Sequence, residues 1–232
     1  MEFLLQFINN LDLSGILSLL MRVIAALTCI IIHECAHGFA AEKLGDPTAR
    51  AEGRLTWNPI HHIDPFGVLM MVVAGVGWAK PVPVDARNFR HPRRGMAITA
   101  LAGPLSNLVL AAFALMLAKW GYRALVGLAL GDAAWNVLLF VFNLMIRIAV
   151  MSVGLAIFNL IPIPPLDGSK VLFSFLPESI YFLILRYERF VTLALFGLVF
   201  IGVLDAPLSF CIDKVLYLLC LVSGFPPDVL GF

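Results

Sequence analysis

Charge is what this sequence is short of. Of its 232 residues 13% are Asp, Glu, Lys or Arg and 61% are hydrophobic, with a mean hydropathy of +0.95. Soluble domains carry about 25% charged and 45–50% apolar residues, so this chain is solvated mainly by lipid. A net charge of +1 and the lack of any long basic run leave no basis for a nucleic-acid partner. Cysteine is scarce too. Cys29, Cys35, Cys211 and Cys220 all lie in apolar stretches without CxxC spacing, and read as small hydrophobes rather than a disulfide framework. Repeats, low-complexity segments and long linkers are absent, which predicts one compact membrane domain over 1–232, with a core at 16–176 and C-terminal helices at 179–223. The first residues have no basic group ahead of the apolar region and no small-residue cleavage site, so no cleavable signal peptide is expected.

What is present is a series of long apolar runs. A bilayer core of about 30 Å needs roughly 20 apolar residues in a helix, and 16–44, 96–118, 136–161, 179–204 and 207–223 meet that length. They predict an all-α polytopic membrane protein with about five transmembrane helices. Residues 66–79, FGVLMMVVAGVGWA, are too short to span and lie between Pro65 and KPVPVD. A short membrane-associated hairpin or re-entrant segment is expected there, and such backbone is tolerated only beside protein or a water-filled cavity. Lys43, Arg50, Arg54, Lys80, Arg87, Arg90, Arg93 and Arg94 crowd the connection after the first run, whereas 119–135 holds only Lys119 and Arg123. The positive-inside rule then puts 42–95 in the cytoplasm. Arg147 falls inside a span, where it either snorkels or pairs with a carboxylate.

Against this background the stretch IIHECAHGF, residues 31–39, stands out. His33 and His37 are four apart, so on a helix both project from one face. Two imidazoles so placed can bind one metal ion, with Glu34 between them as a general base. Chance explains many such patterns in soluble chains, but ionisable groups in a spanning helix are costly and functional by default. A hydrolytic metal usually takes three protein ligands. In FNLIPIPPLDGSK, residues 158–170, prolines break an apolar helix just before Asp167. An Asp-Gly turn at a helix exit accounts for this by itself. The break nevertheless falls on the side where the first helix carries its histidines, so Asp167 can meet them in space. His61 and His62 are adjacent, a loop pair by default, and Cys29 and Cys35 read as packing residues.

Taken together and in order, HECAH, AGPLSN (102–107) and NLIPIPPLDG (159–168) resemble the site-2 protease family of intramembrane zinc metalloproteases. EGRLTWNPIHHIDPFG (52–67) and GWAKPVPVD (77–85) are similar to the membrane-associated segment between that family's first two core helices. The resemblance covers most of residues 20–175. It implies one Zn2+ per chain held by His33, His37 and Asp167, Glu34 activating water, and Asn107 and Asn159 lining the catalytic cavity. It also implies a transmembrane protein as substrate, within the bilayer of a prokaryotic cell membrane, at a site open to the cytoplasm. The 119–135 connection is too short for the PDZ domain of many members, and the tail after 223 too short for a CBS domain. A substrate helix hides its carbonyls in its own hydrogen bonds, so it has to unwind, and an extended segment at 50–56 or 78–84 is expected to pair with it.

Two other classes compete. A zinc or divalent-metal transporter also places HE-containing motifs in spanning helices, but needs metal-binding side chains along a route, and here they converge on one site. A histidine-box di-iron oxidase uses about eight histidines by its usual pattern; this chain has five.

Overall fold

A computed structural model of the chain describes residues 13–67 and 79–232. The side chains of 178–185 are outside that description, as are the N-terminal segment and nearly all of the hairpin expected at 66–79. Helix α1 spans Leu13–Lys43, α2 Pro92–Gly127, α3 Asp132–Asn159, α4 Asp167–Phe173, α5 Glu178–Phe200 and α6 Asp205–Ser223. Among the described residues, α1, α2, α3 and α6 are long and apolar enough to cross a membrane. The chain is therefore an all-α membrane-integral protein. The fifth span expected, 179–204, coincides with α5, a 23-residue helix of which only the side chains from 186 on lie among the described residues, so it is not counted with the four.

The helices outrun the apolar runs that announce them. Residues 96–118 predict the lipid-embedded part of α2, yet the helix has 36 residues and is about 54 Å long at 1.5 Å per residue. Hydropathy marks what lipid touches, whereas helical hydrogen bonding continues into the interface. The connection predicted at 119–135 shrinks accordingly to residues 128–131.

Packing follows the logic of a bilayer, where helices attract through close contact rather than through water exclusion. The buried seam is built largely from small side chains. Ala25 and Cys29 of α1 meet Ala111, Ala114 and Ala118 of α2, Ala149 and Val153 of α3, and Cys220 of α6. Large apolar side chains such as Val109, Val137, Leu193 and Val222 point outward instead. The contacts of α2 with α3 are the most extensive, and α1 lies against both. Arg147 on α3 reaches the Ser18 hydroxyl of α1, 3.3 Å away. Ser152 takes up the Cys29 thiol at 3.1 Å, consistent with a packing role for that cysteine.

Between α1 and α2 the chain is irregular but tied down. Gly45, at φ 110°, closes α1 in a Schellman turn: Asp46 N–H bonds Ala41 C=O and Gly45 N–H bonds Glu42 C=O. A helical turn at Thr48–Ala51 and a 3-10 turn at Pro59–His62 follow. Residues 50–56 are thus not the extended segment expected there. Ala79 forms an isolated antiparallel bridge with Ile63, residues 80–85 belong to no helix, and Asp85 is extended. Pro81 and Pro83 keep this strap from coiling, since proline fixes φ and pushes its predecessor out of the helical region.

Candidate active site

α1 presents His33 and His37 one turn apart, as their spacing dictates. The proline break after α3 turns the chain back, and α4 starts at Asp167 beside them. Asp167 Oδ2 lies 3.1 Å from His33 Nε2 and 3.0 Å from His37 Nε2. All three side chains are buried, and their ligand atoms fall within 4.8 Å of one another. Among the described residues this is the one group of three or more His, Cys, Asp or Glu able to share a metal ion. Its donor set, two imidazoles and a carboxylate, matches that of hydrolytic zinc sites.

The outer sides of the imidazoles show the same fit. His37 Nδ1 is 2.7 Å from the Thr99 carbonyl, so it carries the proton and donates, leaving Nε2 as a lone-pair donor facing inward. His33 Nδ1 faces the side-chain amide of Asn107, whose nitrogen is 3.4 Å away while its oxygen is buried without a partner. With the amide turned over, Oδ1 accepts from Nδ1–H. Both imidazoles then face the cavity through Nε2.

Thr99, Gly103 and Asn107 are successive at a spacing of four, one stripe along α2. Gly103 is what lets the helices close: a Cβ there would collide with the imidazoles of both His37 and His33. Gly168 plays the matching part at α4, where a Cβ would strike the backbone of Leu160 and Ile161. The Asp-Gly pair is therefore more than a turn, since the glycine allows the backbone approach that delivers Asp167. Lys170, one turn into α4, donates to Asp167 Oδ1 at 3.0 Å.

Above these groups lies a cavity of about 700 Å³. His33, Glu34 and His37 form one wall and Asp167, Lys170 and Asn159 another; α5 closes it with Phe196 and Val199, and the strap lies across it with Ala79, Pro81, Val82 and Val84. Most of this lining is apolar. Glu34 Oε2 accepts the Val82 N–H at 2.8 Å, which leaves its second oxygen unengaged by the strap. Asn159 bonds the Leu155 carbonyl of its own helix and lines the cavity. Asn107 does not; it is wholly buried behind His33. His62 is buried with Nε2 on the Thr56 carbonyl, and His61 is exposed. Cys35 likewise packs against the Thr56 carbonyl.

The far end of the strap is held by Asp46. Its burial would raise its pKa, but hydrogen bonds from Thr48, Asn88 and the Asp85 amide outweigh that and hold the carboxyl below its usual range. Asp85 itself, bonded by the Arg87 guanidinium and backbone N–H, is held down to about 2. Both are charged throughout the neutral range. Thr99, Val82 and Asp46 escape a reading by motif because nothing in their own neighbourhoods is chemically unusual, whereas Gly103 falls within AGPLSN. The one available signal was the 99–103–107 spacing within AGPLSN and the turn before it.

The profile of peptidase family M50 matches residues 21–202. Of curated proteins, "Putative zinc metalloprotease YwhC" of Bacillus subtilis is 38% identical over 162 residues, 68% of this chain and 70% of that protein. Rip2 of Mycolicibacterium smegmatis and MJ0611 of Methanocaldococcus jannaschii bear the same descriptor and are each 30% identical. The first match covers 61% of this chain and 52% of Rip2, so the chain spans about half that relative's length; the second covers 72% and 77%. No solved structure matches the chain. The profile runs through every helix that contributes to the cavity, from α1 to α5, and on that ground the chain belongs to peptidase family M50, the site-2 proteases.

Proposed function

We propose that this peptidase hydrolyses a peptide bond in or near a transmembrane segment of another membrane protein, using one zinc ion held by His33, His37 and Asp167. The observation that carries the reading is the pair of Nε2 atoms converging on Asp167 Oδ2, each histidine backed on its Nδ1 side by α2. The relatives' shared descriptor names zinc, and the donor set suits it. When bound, the ion supplies Lewis acidity toward a carbonyl and toward water.

The chain's own groups do the rest. Glu34, on the cavity wall, accepts the proton of the attacking water and later hands it to the leaving nitrogen. Asn159 offers its side chain to the substrate from the opposite wall. The largely apolar lining excludes bulk water and accepts an unwound apolar segment. A metal transporter is the competing reading. It needs further ligand clusters along a route, and the described residues hold one such cluster.

Both readings are separable in one preparation. Protein in liposomes should bind one zinc per chain and cleave a co-reconstituted transmembrane substrate, without carrying zinc across the bilayer. Zinc flux with no cleavage of any membrane-embedded peptide would make it a transporter.

The cavity is proposed to open toward the cytoplasm, because the loop that carries the strap also carries most of the loop lysines and arginines. With Cys211, the exposed native cysteine, replaced by serine, Glu52→Cys and Ala129→Cys should react with an impermeant maleimide from opposite faces. Reaction of Glu52→Cys from outside intact cells would invert this topology.

A further inference from the structure

Among the described residues, one fully buried carboxylate lies outside the cavity. Asp46 stands just past the end of α1, whose last residue, Lys43, lies about 13.5 Å along the helix from Glu34 at 1.5 Å per residue, and is 0% exposed. Its Oδ1 accepts from Thr48 N–H at 3.1 Å, from the Thr48 hydroxyl and from the Asn88 amide at 2.7 Å; Oδ2 accepts Asp85 N–H at 2.7 Å. A buried carboxylate is retained only with such partners. Here they join the end of α1 to the end of the strap.

Three strap amides are held by three different anchors. Lys80 N–H bonds the His62 carbonyl at 2.9 Å, Val82 N–H bonds Glu34 at 2.8 Å, and Asp85 N–H bonds Asp46. Arg54 adds a bond to the Lys80 carbonyl at 2.9 Å. Pro81 and Pro83 flank Val82 and have no N–H, so neither can replace it as a donor to Glu34. Gly38, one turn beyond Glu34, sets the height of the strap on α1, since a Cβ there would crowd Leu55 and lie 3.1 Å from Val82 Cγ1.

We propose that Asp46 is a positioning residue for peptide hydrolysis. By fastening the Ala79–Asp85 strap to the end of α1 it keeps Val82 N–H on Glu34, and so fixes the direction in which the carboxylate presents its other oxygen to the cavity. The proposal rests on Glu34 as general base. A glutamate without this bond turns about three side-chain torsions, and a displacement of about 1 Å in a catalytic group costs on the order of 100-fold in rate.

The test uses the full chain in liposomes with Asp46→Asn, Val82→Pro and the two combined. Asp46→Asn should keep one zinc per chain, while hydrogen exchange of the peptide covering 79–88 accelerates about tenfold or more. kcat should fall about 10- to 100-fold with KM within about threefold of the parent, the mark of an interaction used in the transition state. Val82→Pro should lose a similar factor, and the double variant no more than the weaker single, because both remove one contact. Should Asp46→Asn fail to fold, Asn88→Ala removes one donor without stranding a charge, and the same pattern is expected of it.

Parent-like cleavage by Asp46→Asn (or by Asn88→Ala in its place), multiplied losses in the double variant, or zinc lost along with activity would each overturn the proposal. Parent-like cleavage by Glu34→Gln would instead remove the reading beneath it, whatever Asp46→Asn does.

Discussion

Glu34→Gln is expected to lower cleavage by about 10²- to 10⁴-fold, the usual contribution of a general base, while the protein folds and keeps its zinc. The structure explains why the two effects separate. Glu34 lies on the cavity wall but outside the His33, His37 and Asp167 cluster, so its replacement leaves all three proposed ligands in place. The bond it receives from Val82 N–H needs only an acceptor oxygen, which glutamine retains. The strap therefore stays seated, and what is lost is the lone pair that takes a proton at neutral pH. The measurement is cleavage rate beside zinc per chain in one preparation. Unchanged cleavage would take Glu34 out of the mechanism, and zinc lost with activity would make it a ligand or a structural group.

Asp167→Ala should lose both metal and proteolysis. Residues one step removed from a metal typically cost 10- to 100-fold in affinity when replaced, so loss of a direct ligand should exceed about 100-fold. Charge sets the direction: two neutral imidazoles leave a divalent ion its full charge in a poorly solvated cavity, and a carboxylate offsets half of it where Coulomb terms are large. Asp167→Asn, which keeps the shape but not the charge, should weaken zinc binding markedly. The contrasting variant is His61→Ala with His62→Ala. His62 is turned away onto the Thr56 carbonyl and His61 faces outward, so the pair should retain stoichiometric zinc. If instead this variant loses its metal and Asp167→Ala holds one zinc per chain, the ligand assignment is wrong and residues 52–67 belong to the site.

The features legible from the residues alone were those that depend on a chain's own neighbourhood. Composition sets the solvent, because a surface with so few charges can be covered only by lipid. Helical periodicity puts His33 and His37 on one face wherever that helix is placed, and the prolines before Asp167 end α3 regardless of what surrounds them. Contacts between residues distant in sequence are another matter, since no local pattern encodes them. Asp167 meets His33 across 134 positions, and only the packing of α4 against the first helices decides that it does. The resemblance put Asn107 on the cavity wall; packing put it behind His33 instead, because α2 crosses α1 closely at Gly103 and turns the next residue of that stripe toward Nδ1. Val82 reaches Glu34 across 48 positions through a backbone amide, a group that every residue but proline carries and no sequence pattern can single out. Side-chain chemistry and its helical spacing belong to the sequence. Which backbone groups and which second partners meet that chemistry is set by the approach of α2, α4 and the strap to α1, and that approach exists only in the folded chain.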